Sequence, residues 1–294
     1  MIGNEAVSYD IMRKLCKSLH NNREVLDIQP SQGWRCINLD EIWQYRELLY
    51  FFTWRDIKVR YRQTIIGILW VVIQPFLTMV VFSVFFGKFA KIPSEGIPYP
   101  IFVYVGLLPW TYFSESLTRA TDSVVSDANL VRKIYFPRLI TPLSASLSAL
   151  LDFFISFGIL LFLMVYYQFM PAKGIILFPV LAFFTFLCST GVGFWLSALN
   201  VMYRDVRYIV PFIVRLGLFL TPVIYPVSIV SQEYRWLLYL NPMTGIIEGC
   251  RASILGYKSV PIFGLSLSAA IILIFFISGA FFFRKMEKNF ADVI

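Results

Sequence analysis

The sequence predicts an all-α polytopic membrane protein with six transmembrane helices, both termini inside, an N-terminal amphipathic interface helix and short re-entrant outer helices before the last span. Of its 294 residues, 58% are hydrophobic, and a soluble domain of this length cannot bury that much apolar surface. Six apolar stretches have about the 20 residues that a membrane-spanning helix requires. Basic clusters beside these stretches indicate their orientation.

The composition and motifs argue against other classes. The net charge is +8, but the cations cluster beside apolar segments, which favours a membrane surface over nucleic acid. A phosphate-binding GxxxxGK[ST] loop, paired carboxylates, a Ser/His/Asp set and HExxH are all missing from the sequence, so we expect no enzyme and no cofactor or metal held by this chain. The first 60 residues show no signal-peptide pattern.

The N-terminal arm, residues 1–63, is predicted to be cytoplasmic. Asn38 can cap a helix, and Glu41 three residues later completes a capping box. The helix is predicted over about 39–62, with aromatic and charged residues around an apolar stripe. Such a helix lies in the membrane interface or packs as an ordinary cytoplasmic helix.

The run of cations before the first span sets the orientation. Arg55, Lys58, Arg60 and Arg62 come directly before an apolar run, and basic flanks are retained inside. The proposed inner flanks carry twice the cations of the outer loops, and six spans return the C-terminus to the inside. The transmembrane domain covers 64–294, with spans at about 65–87, 98–119, 140–168, 174–198, 209–227 and 260–283.

Two segments between spans carry helix signals of their own. In the inner loop, about 120–139, Asp127 or Asn129 can cap a short helix that Pro137 ends. This helix is either a docking element or a surface helix that contacts only lipid headgroups. In the outer segment, 229–256, the Asn241-Pro242 pair divides an apolar run into two short helices that dip into the outer leaflet.

Charged and polar residues inside the spans are costly, and so they face protein or water. Asp152 continues a stripe of serines at four-residue spacing, which lines a conduit or packs against a helix. Arg215 snorkels to the interface, pairs with Asp152 or meets an anionic substrate. Glu115 and Arg119 form an i,i+4 pair that we interpret as structural.

Small and aromatic residues allow further interpretations. Ser189, Gly193 and Ser197 form a small-residue face for close helix packing, within or between subunits. Tyr and Trp at several depths either line a path for sugars, by analogy with stacking platforms for bases, or serve as interface belt and packing. The aromatics considered for a path are Trp70, Phe76, Tyr104, Trp110, Tyr112 and Phe113.

Several stretches together resemble one family. They are RDIKVRYRQTIIGILWVVIQP (55–75), FFGKFAKIPSEGIPYPIFVYVGLLPW (85–110), NLVRKIYFPRLITPLS (129–144), NVMYRDVRYIVPFIVRLGLFLTPVIYP (200–226) and YLNPMTGIIEGCR (239–251). In this order they resemble the permeases of ABC-2 type polysaccharide and polyol-phosphate exporters, most strongly the O-antigen permeases. Capsule and teichoic-acid exporters share these motifs.

The resemblance implies a homodimer in a bacterial inner membrane, joined to two copies of an ATP-binding subunit that holds ATP and Mg. The implied substrate is a polysaccharide linked to undecaprenyl pyrophosphate, which follows a channel lined partly by aromatics. Within these implied elements we predict four sets of residues. For coupling to the ATPase they are Asn129, Leu130, Arg132, Lys133, Tyr135 and Phe136, and for attraction of the pyrophosphate they are Arg60, Arg62 and Arg215. The candidate channel aromatics are Trp70, Tyr104, Trp110, Tyr112 and Phe219, and the candidate outer-gate residues are Trp236, Tyr239, Asn241 and Pro242.

Two other hypotheses stay open at the level of sequence. An ABC-2 exporter of a drug or small lipid would share this fold. An ion- or proton-coupled transporter would use Asp152, although the sequence lacks the inverted repeats typical of that class.

Overall fold

Helices account for the regular structure of the part of the chain that is described. The computed structural model describes residues 43–62, 67–133, 136–256, 259–288 and 290, and within these ranges the all-α prediction is confirmed. In chain order the helices are α1 (Arg46–Arg62), α2 (Gly67–Phe82), α3 (Tyr99–Ser126), α4 (Ala128–Lys133), α5 (Ile140–Tyr166), α6 (Phe178–Met202), α7 (Val206–Leu220), α8 (Arg235–Tyr239), α9 (Pro242–Leu255) and α10 (Ile262–Glu287).

Helix α1 packs on one side and exposes large apolar rings on the other. Phe52 is buried, whereas Phe51, Tyr50 and Trp54 each expose more than half of their surface. This combination suits a helix that contacts protein with one face and the membrane interface with the other. The predicted capping residues, Asn38 and Glu41, lie outside the described residues.

Helix α3 is the centre of the bundle. It contacts α2, α5, α6, α7 and α9, and its residues from Ile101 to Trp110 are all buried. It begins after Pro98, as predicted, because proline at the first positions of a helix leaves no hydrogen bond unmade. It continues to Ser126, seven residues beyond the predicted end of the span, because residues 120–126 contain neither Gly nor Pro to stop it.

The small-residue face of α6 packs within the chain. The hydroxyl of Ser189 lies 3.0 Å from that of Ser116 on α3. A Cβ atom on Gly193 would stand only 2.8 Å from the Cβ atom of Ala120. Small side chains at this spacing allow α3 and α6 to approach closely, which is the intramolecular alternative left open by the sequence.

Four of the described helices are long and apolar enough to cross a membrane. They are Leu69–Phe89, which includes a π-helical turn after α2, Ile140–Tyr166, Lys173–Met202 and Ile262–Glu287. They match the first, third, fourth and sixth predicted spans.

The second and fifth predicted spans form helices of a different character. Helix α3 is long but carries several charged residues in its C-terminal half, and α7 has only 15 residues. The fifth span was predicted to reach residue 227, and this boundary is wrong. Thr221 is extended, because Pro222 disfavours a helical conformation at the preceding residue.

A buried arginine supports the irregular chain after α7. The Arg251 guanidinium donates to the carbonyl oxygens of Val223 at 2.5 Å and Tyr225 at 3.2 Å. It also pairs with Glu248 at 3.0 Å and lies 3.8 Å from the ring centre of Phe102. The Arg251 side chain is fully buried.

The break between α8 and α9 has the predicted chemistry. The Asn241 side-chain oxygen accepts a hydrogen bond from the Met243 amide at 3.0 Å, and Pro242 begins the helix. The Asn241 amide also donates to the Thr221 hydroxyl at 2.7 Å. This cap therefore joins the start of α9 to the point where α7 ends.

Replacing Arg251 with alanine is expected to destabilise the fold strongly. The substitution leaves Glu248 as a buried charge without its partner, which costs about 3–5 kcal/mol in the free energy of unfolding. Thermal unfolding of the purified protein in detergent measures the loss. Arg204→Ala, at an exposed position, is the matched control and should melt like the wild type. A wild-type melting temperature for Arg251→Ala would contradict the assigned role.

Candidate functional site

Helix α4 presents charge on one side and apolar groups on the other. Asn129, Arg132 and Lys133 are exposed, while Val131 is buried. Leu130 is half-buried. The helix is therefore amphipathic over six residues, and its exposed face is cationic.

An aromatic contact packs the segment from α4 to the start of α5 against α1. The rings of Phe52 and Phe136 meet edge to face with their centres 5.5 Å apart. Val131 and Ile140 complete this buried cluster. Phe136, one of the predicted coupling residues, therefore contacts α1. Tyr135 lies outside the described residues.

Arg55 forms ion pairs that join α1 to the start of α4. Its Nη2 atom is 2.9 Å from the Asp127 carboxylate, directly before α4, and 2.9 Å from Asp56. Burial raises the pKa of Asp56, and the Arg55 guanidinium partly offsets that rise. Because Arg55 also lies 4.7 Å from the ring centre of Phe52, the ion pair and the apolar contact form one joint between α1 and α4.

A second polar cluster joins α1 to the membrane bundle. Asp152 on α5 accepts hydrogen bonds from Arg60 and from the Tyr61 hydroxyl. Arg119 on α3 lies 3.4 Å from the same carboxylate and also pairs with Glu115. Glu115 is 3.7 Å from Arg60. Two cations thus face two carboxylates, and this balance reduces the cost of burying Asp152.

The contacts of Asp152 bear on the two interpretations of the polar stripe on α5, which were that it lines a conduit or that it packs against another helix. Asp152 and the serines of its stripe are buried against protein, so the packing alternative is the one that the structure shows. Arg215 is exposed, and the cations beside Asp152 are Arg60 and Arg119, so the alternative in which Arg215 pairs with Asp152 does not hold in this structure. The Arg62 side chain lies outside the described part of the chain.

The predicted channel aromatics fall into two groups. Tyr104 and Tyr112 are buried, and their hydroxyl groups each donate to a carbonyl oxygen of α5 at 3.2 Å. Trp110 is also buried. Trp70 and Phe219 each expose 57% of their surface. Three of the five therefore hold the bundle together in this conformation, and two face outward.

The predicted outer-gate residues lie close together in the chain and differ in exposure. Trp236 is 58% exposed. Tyr239 is half-buried, with its ring against Gly264 at the start of α10. Asn241 and Pro242 shape the start of α9, as described above.

Sequence reasoning missed the long-range charge contacts. Arg60 and Asp152 are 92 positions apart, and no local pattern joins them. The available signal was physical, because a carboxylate predicted inside a span requires a cation nearby. Among the described residues, no group of three His, Cys, Asp or Glu side chains is placed to hold a metal ion.

The fold and these clusters define a polytopic membrane protein in which helix α1 is joined to an exposed cationic turn. The sequence pattern of the ABC-2 type transporter family matches residues 47–255, the part of the chain from α1 to the end of α9. Since this is more than half of the chain, the protein belongs to the ABC-2 type transporter family.

Curated relatives extend the comparison over most of the chain. An O-antigen export system permease protein, RfbA, of Myxococcus xanthus is 31% identical over 257 residues, 86% of this chain and 98% of that protein. RfbA of Klebsiella pneumoniae is 26% identical over 253 residues, covering 84% and 95% of the two chains. The polysialic acid transport protein KpsM of Escherichia coli is 21% identical over 240 residues, covering 80% and 91%.

Replacing Asp152 with asparagine is expected to destabilise the bundle. The change leaves two half-buried arginines with one carboxylate, so we expect a loss of about 1.5–3 kcal/mol in the free energy of unfolding, measured as a lower melting temperature. Ser148→Ala is a matched control on the same stripe. Its hydroxyl donates only to the backbone of its own helix, so we expect a loss of about 1 kcal/mol or less. Equal melting of the two variants would rule out the role assigned to Asp152.

Proposed function

We propose that this chain is the membrane-spanning permease subunit of an ATP-driven exporter of lipid-linked polysaccharide in a bacterial inner membrane, with O-antigen as its substrate. The similarity to an O-antigen export permease along nearly the whole of that protein carries this proposal. The alternative cargo within the same class is a capsule polysaccharide, which the weaker similarity to a polysialic acid transporter represents.

The complete exporter would contain two copies of this chain and two of a separate ATP-binding subunit. The sequence contains no GxxxxGK[ST] loop, so ATP and Mg belong to that other subunit. We propose the six-span, N-in and C-in arrangement for each copy. In that arrangement α3 and α7 are the second and fifth spans, and α8 and α9 re-enter from the outside.

The exposed face of α4 is the proposed docking surface for the ATP-binding subunit. Asn129, Arg132 and Lys133 are available on this face, and their charge favours an acidic groove on the partner. Movement of α4 would be transmitted to α1 through Arg55 and the Phe52–Phe136 contact.

Helix α1 would carry that movement on to the membrane bundle. Arg60 is five residues beyond Arg55, about 7.5 Å along the helix, and it holds Asp152 on α5. One rigid helix therefore connects the docking surface to a transmembrane helix. This connection supports the assignment of α1 and α4 to energy coupling.

The glycan path is proposed along the outward faces of α2 and α7. Trp70 and Phe219 are accessible there, and Arg215 supplies a cation for the pyrophosphate. Arg60 and Arg62 stay proposed pyrophosphate contacts, and Arg60 would have to leave Asp152 to make one. Tyr104, Trp110 and Tyr112 would enter the path only if α3 turned relative to its neighbours. The segment from α8 to α9 would close the outer end.

Purification from native membranes tests the proposed function. The chain is isolated in mild detergent, and the eluate is examined for a P-loop ATPase, ATP hydrolysis and lipid-linked glycan. An ATPase with bound glycan is the expected result. An ATPase without glycan would instead favour an exporter of a drug or small lipid. An intact complex without any ATPase would contradict the proposal.

Charge reversal on α4 is expected to weaken docking. In the double variant Arg132→Glu/Lys133→Glu, repulsion replaces attraction at the proposed interface, and recovery of the ATP-binding subunit in a pull-down should fall at least tenfold. The matched control is Lys88→Glu/Lys173→Glu, which makes the same change at two exposed cations on the proposed outer side. Undiminished recovery with the α4 variant would show that docking occurs elsewhere.

Reversing the charges of the α1–α4 joint is expected to uncouple hydrolysis from export. Arg55→Asp or Asp127→Arg alone places like charges together, so the amount of glycan exported per ATP hydrolysed should fall severalfold in proteoliposomes. The double variant Arg55→Asp/Asp127→Arg restores opposite charges and should recover most of that ratio. If the single variants keep the wild-type ratio, the joint has no coupling role.

A further inference from the structure

A small polar cavity of about 210 Å³ lies between α8, α9 and the start of α10. It is distinct from the docking surface and from the outward aromatic faces. Five polar side chains line it, with Val227, Ala252 and Pro261 as its apolar neighbours. The polar residues are Ser228, Arg235, Tyr239, Glu248 and Ser259.

Glu248 provides a fixed hydrogen-bond acceptor in this cavity. Its side chain is 9% exposed, and its Oε1 atom accepts from Arg251 at 3.0 Å. Its second carboxylate oxygen makes no hydrogen bond to any described residue. Arg251 orients the carboxylate, so the second oxygen is a preorganised acceptor.

Arg235 and Tyr239 provide the donors. The Arg235 guanidinium is held by the Val230 carbonyl at 2.9 Å and the Ser228 carbonyl at 3.3 Å. The Tyr239 hydroxyl has no partner within the described ranges. Burial raises the pKa of Tyr239, and the charge of Glu248 raises it further. The hydroxyl therefore stays protonated and able to donate.

This set of groups fits neighbouring hydroxyl groups on one ring. A carboxylate oxygen accepts from one hydroxyl, while a guanidinium or phenol donates to the next. The volume is below the 300–1,000 Å³ of pockets for drug-sized ligands, so the cavity suits a single small polar unit. A cavity of about 470 Å³ between α2 and α5 is instead lined by apolar residues such as Val72, Phe76 and Phe162, as a lipid tail requires.

We infer that the polar cavity binds one sugar residue, through adjacent hydroxyl groups, at the outer end of the export path. This inference rests on the proposed function, because that function supplies a glycan on this side of the membrane. Bound transiently, each sugar residue would hinder the emerging chain from slipping back while the ATP-binding subunits reset.

Saturation-transfer NMR on the whole transporter in lipid nanodiscs tests the inference. The probes are the methyl glycosides of glucose, galactose, mannose, rhamnose and N-acetylglucosamine. We expect saturation transfer to the ring protons of at least one of them. If none binds to a transporter that is folded and retains its ATP-binding subunit, the inference is overturned.

Two substitutions locate the binding. Tyr239→Phe removes only a hydroxyl, and Arg235→Gln removes the charged donor. Each should weaken sugar binding about tenfold, since one hydrogen bond is lost. Glu233→Gln, on the adjacent exposed turn and outside the cavity lining, should bind like the wild type. Unchanged binding in both cavity variants would overturn the inference.

If the polar cavity binds an anion or a lipid headgroup instead of a sugar, the binding experiments give a different result. Inorganic phosphate, or a phosphatidylethanolamine headgroup that co-purifies with the wild type but not with Tyr239→Phe, would mark an anion or lipid site and overturn the sugar assignment. Glycan export in cells separates this result from failure of the proposed function. If export continues without sugar binding at the cavity, only the inference falls. If deletion of the chain leaves surface polysaccharide unchanged, the exporter proposal itself falls.

Discussion

The pairing of Asp152 is the interaction on which the rest of the bundle depends. A carboxylate within a transmembrane helix is costly unless cations and donors surround it. Arg60, Tyr61 and Arg119 meet this requirement from two other helices. Helices α1, α3 and α5 are thereby joined to one another. Asp152 thus links α1 to the bundle, and the Phe52–Phe136 contact and the Arg55–Asp127 ion pair link the α4 segment to α1.

Local chemistry made much of the fold predictable. Pro98 and the Asn241-Pro242 pair indicated the starts of α3 and α9, because proline and capping residues act on the backbone nearest to them. The Thr221-Pro222 pair carried an equally readable signal, but apolar composition outweighed it in the placement of the fifth span. Hydropathy shows which segment is apolar enough to lie in lipid, but it does not show at which residue the helix ends.

The contacts of the candidate site were not predictable in the same way. Arg55 was recognised as part of a basic flank, but its bond to Asp127 joins positions 72 residues apart. Arg251 is held in the interior by the carbonyl oxygens of Val223 and Tyr225, 28 and 26 residues earlier in the chain, and by Glu248. Such pairings arise from the packing of helices, which a single sequence leaves undetermined.

The order of the buried charges along the chain has a consequence for biosynthesis. Arg60 and Arg119 both precede Asp152, and Phe102, Val223 and Glu248 all precede Arg251. Each of these two charged residues is therefore synthesised after the groups that stabilise it. We expect Asp152 to enter the bilayer when α1 and α3, which carry its partners, are already in place, so that it does not have to cross the lipid as an unpaired ion. The linear sequence thus encodes an insertion order as well as a final structure.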